Sequence, residues 1–472
     1  MYLRHLKLRN LKLLHEVEIS FLRNREPRPW TVFVAENGLC KTTILQSIAM
    51  AASGPMLASE LADVISLPDR RRPKALVSIE AEFGFGRETH SIRQYPGFDK
   101  HPRQPPLLYS LLETQGGWRD FSGHSHYREP SGRVVDVGMD PLLDARRRQL
   151  KAWFVAGYGT ARTLPDPLSR LRSENPGDRV KSQLDNLFDR GDLLATSFAA
   201  QLDKPLADTY WRVLGQVLVH SGLLPRVTGL KPQARGRSIS TQDFMEGDLF
   251  EFVMGRARVN VPSWWLSKGY QGTIAWVSDL IGRILLEAGE SITPEEMEGL
   301  VLVDELDLHL HPKWQAALVP VLKKTFPRLQ FVGTTHSAML LPGLAQDEIL
   351  LLREDEDGNV LVKPAQESPA LMTGSEIFDT FFGLHSLYPT ELGEALRRYG
   401  YLASNAYRSD KEEHELHQLL AKLKENGIEP GWTAVPRRDP SPAERSSTSR
   451  KVVRKKTAPK KGARSKTAGK KR

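Results

Sequence analysis

Two spacings of apolar residues alternate along this chain. Near the N-terminus, LRHLKLRN and VEIS place apolar side chains at every second position, the period of a strand with one buried face. PWTVFVAEN is a continuous apolar run, as in a strand covered on both sides. After a short polar loop, TTILQSIAMAAS changes to helical spacing and stops at Gly54, a residue suited to a helix C-terminus. From about 74 to 160 the pattern is again that of strands: KALVSIEAEF and HSIRQY flank a glycine-rich turn, and QLKAWFVAGYG ends in glycines. The stretch from about 165 to 255 reads as mostly helical, with DTYWRVLGQVLVHSGLL its clearest amphipathic segment. Between 272 and 352, two helices alternate with LVLVDE, LQFVGTT and EILLL, the order of a parallel sheet covered by helices. A hairpin turning at Asp357-Gly358 follows in ILLLREDEDGNVLVKP. The last helix, DKEEHELHQLLAKLKEN, has Ser409 or Asp410 to cap it, a stripe of Leu416, Leu419, Leu420 and Leu423, and Gly427 to stop it.

This order predicts an α/β fold whose mixed sheet carries an antiparallel lobe. The expected divisions are a first lobe at 1–164, a helical insertion at 165–260, a second lobe at 261–365, a C-terminal helical region at 366–432 and a disordered basic tail at 433–472. Composition sharpens the last of these. The chain of 472 residues has a formal net charge of +9. Twelve lysines and arginines and no acid lie between Arg450 and Arg472, so the rest of the chain is net negative. With Pro, Gly, Ser and Thr between its cations, the tail cannot bury enough surface to fold alone, and residues 450–472 suit contact with nucleic-acid phosphates. No apolar run approaches the roughly 18 residues of a membrane span, and the basic opening lacks the apolar block of a secretory signal. A cytoplasmic protein with no membrane partner is expected. The single cysteine, Cys40, excludes an intramolecular disulfide and a cysteine-based zinc site.

Cys40 sits in AENGLCKTT, which departs twice from the phosphate-binding pattern G-x-x-x-x-G-K-[ST]: Ala35 stands at the first glycine and Cys40 at the second. The context is nevertheless strand, loop, helix, and Gly38, Lys41 and Thr42 are in place. Downstream, the apolar run of GLVLVDE ends in Asp304 and Glu305, a buried strand delivering two carboxylates, and QFVGTTHS is a second apolar strand with His336 just past its end. Between loop and carboxylates, Leu266 to Gln271 reads L-S-x-G-x-Q.

LSKGYQ resembles the signature motif of ABC-type ATPases, and Walker B followed by LDLHLHPKWQ and TTHS is similar to the ABC-like subgroup of RecF, SMC-related and OLD-family proteins. Within it, the chain resembles the stand-alone ATPase subunits of Septu-type anti-phage systems over roughly residues 1–350. The resemblance implies an ABC-type P-loop ATPase head using ATP and Mg²⁺. Glu36, Asn37, Gly38, Leu39, Cys40, Lys41, Thr42 and Thr43 would hold the nucleotide, Thr42 and Asp304 the metal, Glu305 would be the catalytic base and His336 the switch histidine. Ser267, Lys268, Gly269 and Gln271 would act in trans, in a homodimer or higher oligomer. The expected function is regulation of a separate nuclease effector in anti-phage defence; a RecF- or SMC-like DNA maintenance ATPase, or a nucleotide-binding regulator without turnover, is the alternative. The family has a glutamine loop between the P-loop and the helical insertion; no convincing one stands here, and AGYGTAR, Ala156 to Arg162, at that boundary is the candidate to take its place.

Other constellations are poorer. His124 with His126 and His309 with His311 lack the third and fourth ligands of a zinc site; the second pair, which follows the carboxylate strand, is expected to orient the loop at the dimer seam. Cys40 is read as a small residue that fits rather than a redox switch. Trp264 and Trp265 are expected to pack the helical subdomain. Only about 95 residues separate the last strand from the basic tail, so no nuclease is expected in this chain. Phe378, Phe381, Phe382 and Leu384 either form a docking surface or cover the sheet.

Overall fold

The computed structural model describes residues 1–85, 106–129, 131–148, 154–162, 164, 179–189, 202–231, 249–384, 390–431 and 433–438. The expected strand HSIRQY, the basic stretch 450–472 and residues 165–178 lie outside them. The chain divides into two units, Met1–Gly383 and Leu384–Arg472.

In the first unit the alternating opening forms a hairpin of β1 (Tyr2–Leu11) and β2 (Leu14–Ser20), with Leu6 opposite Ile19 and Leu8 opposite Val17. The short pair β3 (Leu22–Arg23) and β4 (Glu26–Pro27) leads to β5 (Trp30–Val34), then α1 (Lys41–Ser53) and α2 (Pro55–Leu61). β6 (Val77–Gly84), β7 (Leu107–Thr114), β8 (Ser122–Arg128) and β9 (Val134–Val135) extend the hairpin into an antiparallel sheet of order β2-β1-β6-β7-β8-β9. α3 (Pro141–Arg147), β10 (Val155–Tyr158), α4 (Arg179–Asp185) and α5 (Lys204–Gly215) follow.

Within the stretch from about 165 to 255, expected to be mostly helical, β11 (Val227–Leu230) and β12 (Phe250–Met254) instead form a three-stranded antiparallel sheet with β13 (Ala257–Val261). Met254 pairs with Ala257 across a two-residue turn, and Gly255 at φ 63 supplies the backbone angle that turn requires. α6 (Lys268–Ala288), β14 (Gly299–Val303), α7 (Pro312–Thr325), β15 (Leu329–Thr335) and the hairpin β16 (Ile349–Glu354) with β17 (Val360–Pro364) complete the second main sheet. Its order is β10-β14-β15-β5-β16-β17, parallel except for β17.

The period of two along these strands divides their side chains between two cores. Phe33, Leu300, Leu302 and Val332 join one cluster with α1 and the antiparallel sheet; Trp30, Val32, Val301, Val303 and Phe331 join the other with α6 and α7. Helix α1 therefore lies between two sheets, and eleven of its thirteen residues are buried. α8 (Gly374–Phe382) closes the first unit. Phe381 is buried and Phe378 and Phe382, half-buried, pack against the core, so these three aromatics cover apolar surface, whereas Leu384 is exposed.

In the second unit, α9 (Thr390–Ser404) pairs with α10 (Asp410–Glu425), whose cap is Ser409, with Leu416 and Leu423 buried. Residues 433–438, expected to belong to the tail, are bound here: Val435 N–H donates to the Ala403 carbonyl at 2.8 Å and Arg438 N–H to that of Ala406 at 2.7 Å. Among the described residues no helix is long and apolar enough to cross a membrane.

Candidate functional site

Because β10, β14, β15 and β5 run parallel, the segments that follow them emerge on one edge of the sheet, where ligands of open α/β sheets bind. That edge gathers Gly159 to Arg162, Asp304 and Glu305, Thr334 to His336, and the loop from Ala35 to Cys40. Register sets the detail: Val303 lies beside Gly333 and Thr335 beside Val34, so each chain leaves the sheet at nearly the same level.

The two departures in the loop have different structural weight. Ala35 is buried at the end of β5 and has no positive φ, so its Cβ costs nothing there. Cys40 occupies the left-handed region at φ 59 and ψ 21, a conformation costing roughly 1–2 kcal/mol for a residue with a Cβ. Its side chain packs, half-buried, against the cluster shared by α1 and the antiparallel sheet. Gly38, at φ 86, has open space where a Cβ would stand. The first helical bond runs from Ile44 N–H to the Cys40 carbonyl at 3.0 Å, so the amides of Lys41, Thr42 and Thr43 have no acceptor within the helix.

Lys41 is buried, and its Nζ donates to the carbonyls of Ala35 at 3.0 Å and Glu36 at 2.8 Å. Burial holds its pKa below the ordinary lysine value, against the pull of Asp304, Glu305 and Asp307. Thr42 Oγ1 donates to Asp304 Oδ2 at 2.6 Å, tying the first turn of α1 to the end of β14. The other oxygen of the buried Asp304 accepts from Thr334 Oγ1 at 2.5 Å, and that hydroxyl accepts from Glu305 N–H at 2.7 Å. Glu305 itself is half-buried and left-handed, at φ 47. His336 follows β15, its N–H donating to Asp307 Oδ1 at 3.2 Å. Burial, and next the charge of Lys41, hold its pKa below the ordinary histidine value, although Asp307, Glu305 and Asp304 pull the other way.

Ser267 is the exposed N-cap residue of α6, and its side chain makes no capping bond. Lys268 Nζ donates to Gln271 Oε1 at 3.3 Å, and Gln271 Nε2 donates to the carbonyls of Trp264 at 2.9 Å and Leu266 at 2.6 Å. Gly269 is set by close approach: a Cβ there would lie 2.5 Å from the His309 carbonyl oxygen. Among the described residues no hydrogen bond joins these four to the loop at 35–43. Trp264 and Trp265, expected to be packed, are 51% and 61% exposed, because the single turn at Ser263–Trp265 directs both rings outward while Ser263 and Leu266 are buried. His311 caps α7, its Nδ1 accepting from Lys313 N–H at 3.3 Å. His124 and His126 stack at 5.4 Å, and the described residues contain no group of three metal-ligating side chains.

The motif reading places Arg162 only as the last residue of AGYGTAR, the candidate stand-in for the glutamine loop, and gives its side chain no task of its own. Its guanidinium is buried and donates to the carbonyl of Asp304 at 2.9 Å and to that of Glu305. Burial lowers its pKa to about 10. Its acceptors are backbone oxygens, so no spacing of acids could have announced it; the signal available was its place at the end of AGYGTAR.

With this geometry in view, residues 31–341 match the family described as "AAA domain, putative AbiEii toxin, Type IV TA system", and the chain belongs to that family. It is an ABC-like member of the AAA ATPases, as its motif order indicates. Septu protein PtuA of Bacillus mycoides (strain KBAB4) is 24% identical over 436 residues, 89% of this chain and 50% of the relative. "Retron Vc95 probable ATPase" of Vibrio cholerae serotype O1 biovar El Tor is 37% identical over 119 residues, 24% of this chain and 23% of the relative. The chain thus spans half the length of the first relative and less of the second. The Smc head bound to the C-winged helix domain of ScpA aligns with a TM-score of 0.46 at 15% identity, over 79% of this chain and 100% of that one.

The residues present fit the nucleotide and divalent cation that such a family implies. A buried ammonium rests on two carbonyls of its own loop, the start of α1 has amides without an acceptor in the helix, and a threonine hydroxyl in its first turn meets a carboxylate.

Proposed function

We propose that this chain binds ATP with Mg²⁺ at the edge formed by Glu36 to Thr43 and Asp304, hydrolyses it, and closes on it as a homodimer to regulate a separate nuclease effector in anti-phage defence. The observation that carries the reading is the 2.6 Å contact between Thr42 and Asp304, which joins the loop helix to the carboxylate strand. Two groups 262 positions apart in the chain have no packing reason to meet as hydroxyl and carboxylate beside a buried lysine.

Each residue then has a defined task. Lys41 exchanges two carbonyl acceptors for phosphate oxygens, which are charged and accept more strongly. Thr42 and Asp304 would hold Mg²⁺, which would supply charge neutralisation to the phosphates. Glu305 orients the attacking water and accepts its proton. His336, kept neutral by its surroundings, offers an N–H toward the terminal phosphate. Ser267 and Gly269 of a second subunit complete the site in trans; the exposure of Ser267 and the lack of any bond from either residue to the loop at 35–43 among the described residues support that arrangement. The tail at 450–472 brings nucleic acid to the assembly through its phosphates.

Sedimentation of the Glu305→Gln variant tests the reading. With ATP and Mg²⁺ its mass should double relative to the nucleotide-free protein. An unchanged mass together with no nucleotide binding contradicts it.

A further inference from the structure

We infer that Arg162 is a positioning residue that couples the signature helix to the catalytic carboxylate of the same subunit. The inference rests on the turnover reading above and adds a component to it. Three elements meet on the segment from Tyr158 to Arg162. On the side of α6, Tyr158 Oη donates to Asp279 Oδ2 at 2.9 Å, Asp279 is bridged to Arg283 at 2.8 Å, and the Arg162 carbonyl oxygen lies 3.2 Å from where a Cβ of Gly272 would stand. On the side of β14, the Tyr158 carbonyl accepts from Asp304 N–H at 2.8 Å, and the Arg162 guanidinium spans the carbonyls of Asp304 and Glu305. On the side of α1, Gln46 Nε2 donates to the Leu187 carbonyl at 3.1 Å, and the adjacent Asn186 clamps the segment, accepting from Gly159 N–H at 2.8 Å and donating to the Ala161 carbonyl at 3.0 Å.

The consequence falls on Glu305. Its left-handed backbone at φ 47 is not a conformation a glutamate adopts unaided. Arg162 Nη2, by donating to the carbonyls of both Asp304 and Glu305, restrains the peptide planes on either side of the Glu305 Cα, and so the direction of its Cα–Cβ bond and where the carboxylate can reach. Since the same arginine's backbone abuts Gly272 in the first turns of α6, a shift of that helix when its N-terminus engages a second subunit's nucleotide moves the guanidinium. The signature contact in trans and the carboxylate in cis are thereby linked through one side chain. A cavity between the two is lined by Arg162, Gly272, Thr273, Trp276, Leu306 and His309.

The test is steady-state ATP hydrolysis by the full chain and by Arg162→Ala and Arg162→Lys, with ATP affinity measured separately for each in the Glu305→Gln background and thermal melting as a check on folding. The expected result is a kcat at least tenfold lower for Arg162→Ala, KM and affinity within about twofold of wild type, and partial recovery of kcat in Arg162→Lys, whose cation can still reach one carbonyl. An unchanged kcat in Arg162→Ala overturns the inference. So does a parallel loss of affinity and melting temperature in both variants, which would make Arg162 a support of the fold alone. A wild type without turnover removes the hydrolysis reading, and the inference with it, and is told apart from both by the first measurement.

Discussion

A single methyl group at Gly269 tests whether the signature glycine is held by its own subunit. In Gly269→Ala the new Cβ would lie 2.5 Å from the His309 carbonyl oxygen, short of ordinary contact by about 0.9 Å, with the His309 carbonyl carbon at 3.4 Å and Trp314 at 3.7 Å. The obstacle is backbone, and backbone of a residue already left-handed at φ 60, so no rotamer change relieves it. Overpacking of this kind costs about 1–3 kcal/mol, and the rigidity of the obstacle argues for the upper part of that range. Replacing glycine by alanine in a helix returns at most about 1 kcal/mol. The expected net loss is about 1–2 kcal/mol. Gly215→Ala is the internal control: Gly215 ends α5, and nothing lies within 4 Å of its Cβ position, so that variant should gain up to about 1 kcal/mol. Urea unfolding followed by tryptophan fluorescence reads both. If Gly269→Ala is as stable as wild type while Gly215→Ala gains, the close approach of α6 to the His309 turn is wrong.

Thr42→Ala removes the hydroxyl that meets Asp304 and leaves one carboxylate oxygen short of a donor; a hydrogen bond to a charged group is of order 1.5–3 kcal/mol, so the nucleotide-free variant should lose stability of about that size, and KM for Mg²⁺-ATP should rise because a proposed metal ligand is gone; an unchanged KM in steady-state assays would refute the role. Cys40→Gly should leave ATP binding intact and stability within about 1 kcal/mol of wild type, because release from the left-handed penalty is offset by the greater freedom of glycine in the unfolded chain; calorimetric loss of binding would show that the thiol is part of the site. Burial and Lys41 depress the His336 pKa below its ordinary value of 6.5, so its contribution to stability is present above pH 6.5 and lost as pH falls toward the folded value. The acid limb of turnover assigned to this residue should accordingly lie below pH 6.5 and vanish in His336→Asn; a limb above 6.5 would contradict the assignment.

The legible parts of this fold were those in which one local pattern decided the outcome. Trp30 to Val34 and Gly299 to Val303 are continuous apolar runs because both faces of their sheet are covered, and Ser409 and Gly427 announce the ends of α10 by local chemistry. The hairpin of β12 and β13 was hidden because FEFVM and ARVNV are short and follow a long amphipathic helix, so the period of two had little length in which to register. Trp264 and Trp265 were misplaced for a related reason: apolar identity says nothing about direction when a single turn of helix sets it. In the candidate site, side chains acting through hydroxyl, carboxylate and ammonium groups stood in a recognisable order. Arg162 did not, since its partners are carbonyl oxygens, which every residue possesses.

The central claim, that AENGLCKTT serves a site of ATP turnover despite Ala35 and Cys40, is tested most directly by steady-state ATP hydrolysis with Mg²⁺, wild type beside Glu305→Gln. The account predicts phosphate release by the wild type that disappears in the variant while ATP binding persists in both. Equal release by both proteins, or a wild type that binds ATP and never releases phosphate, would contradict it.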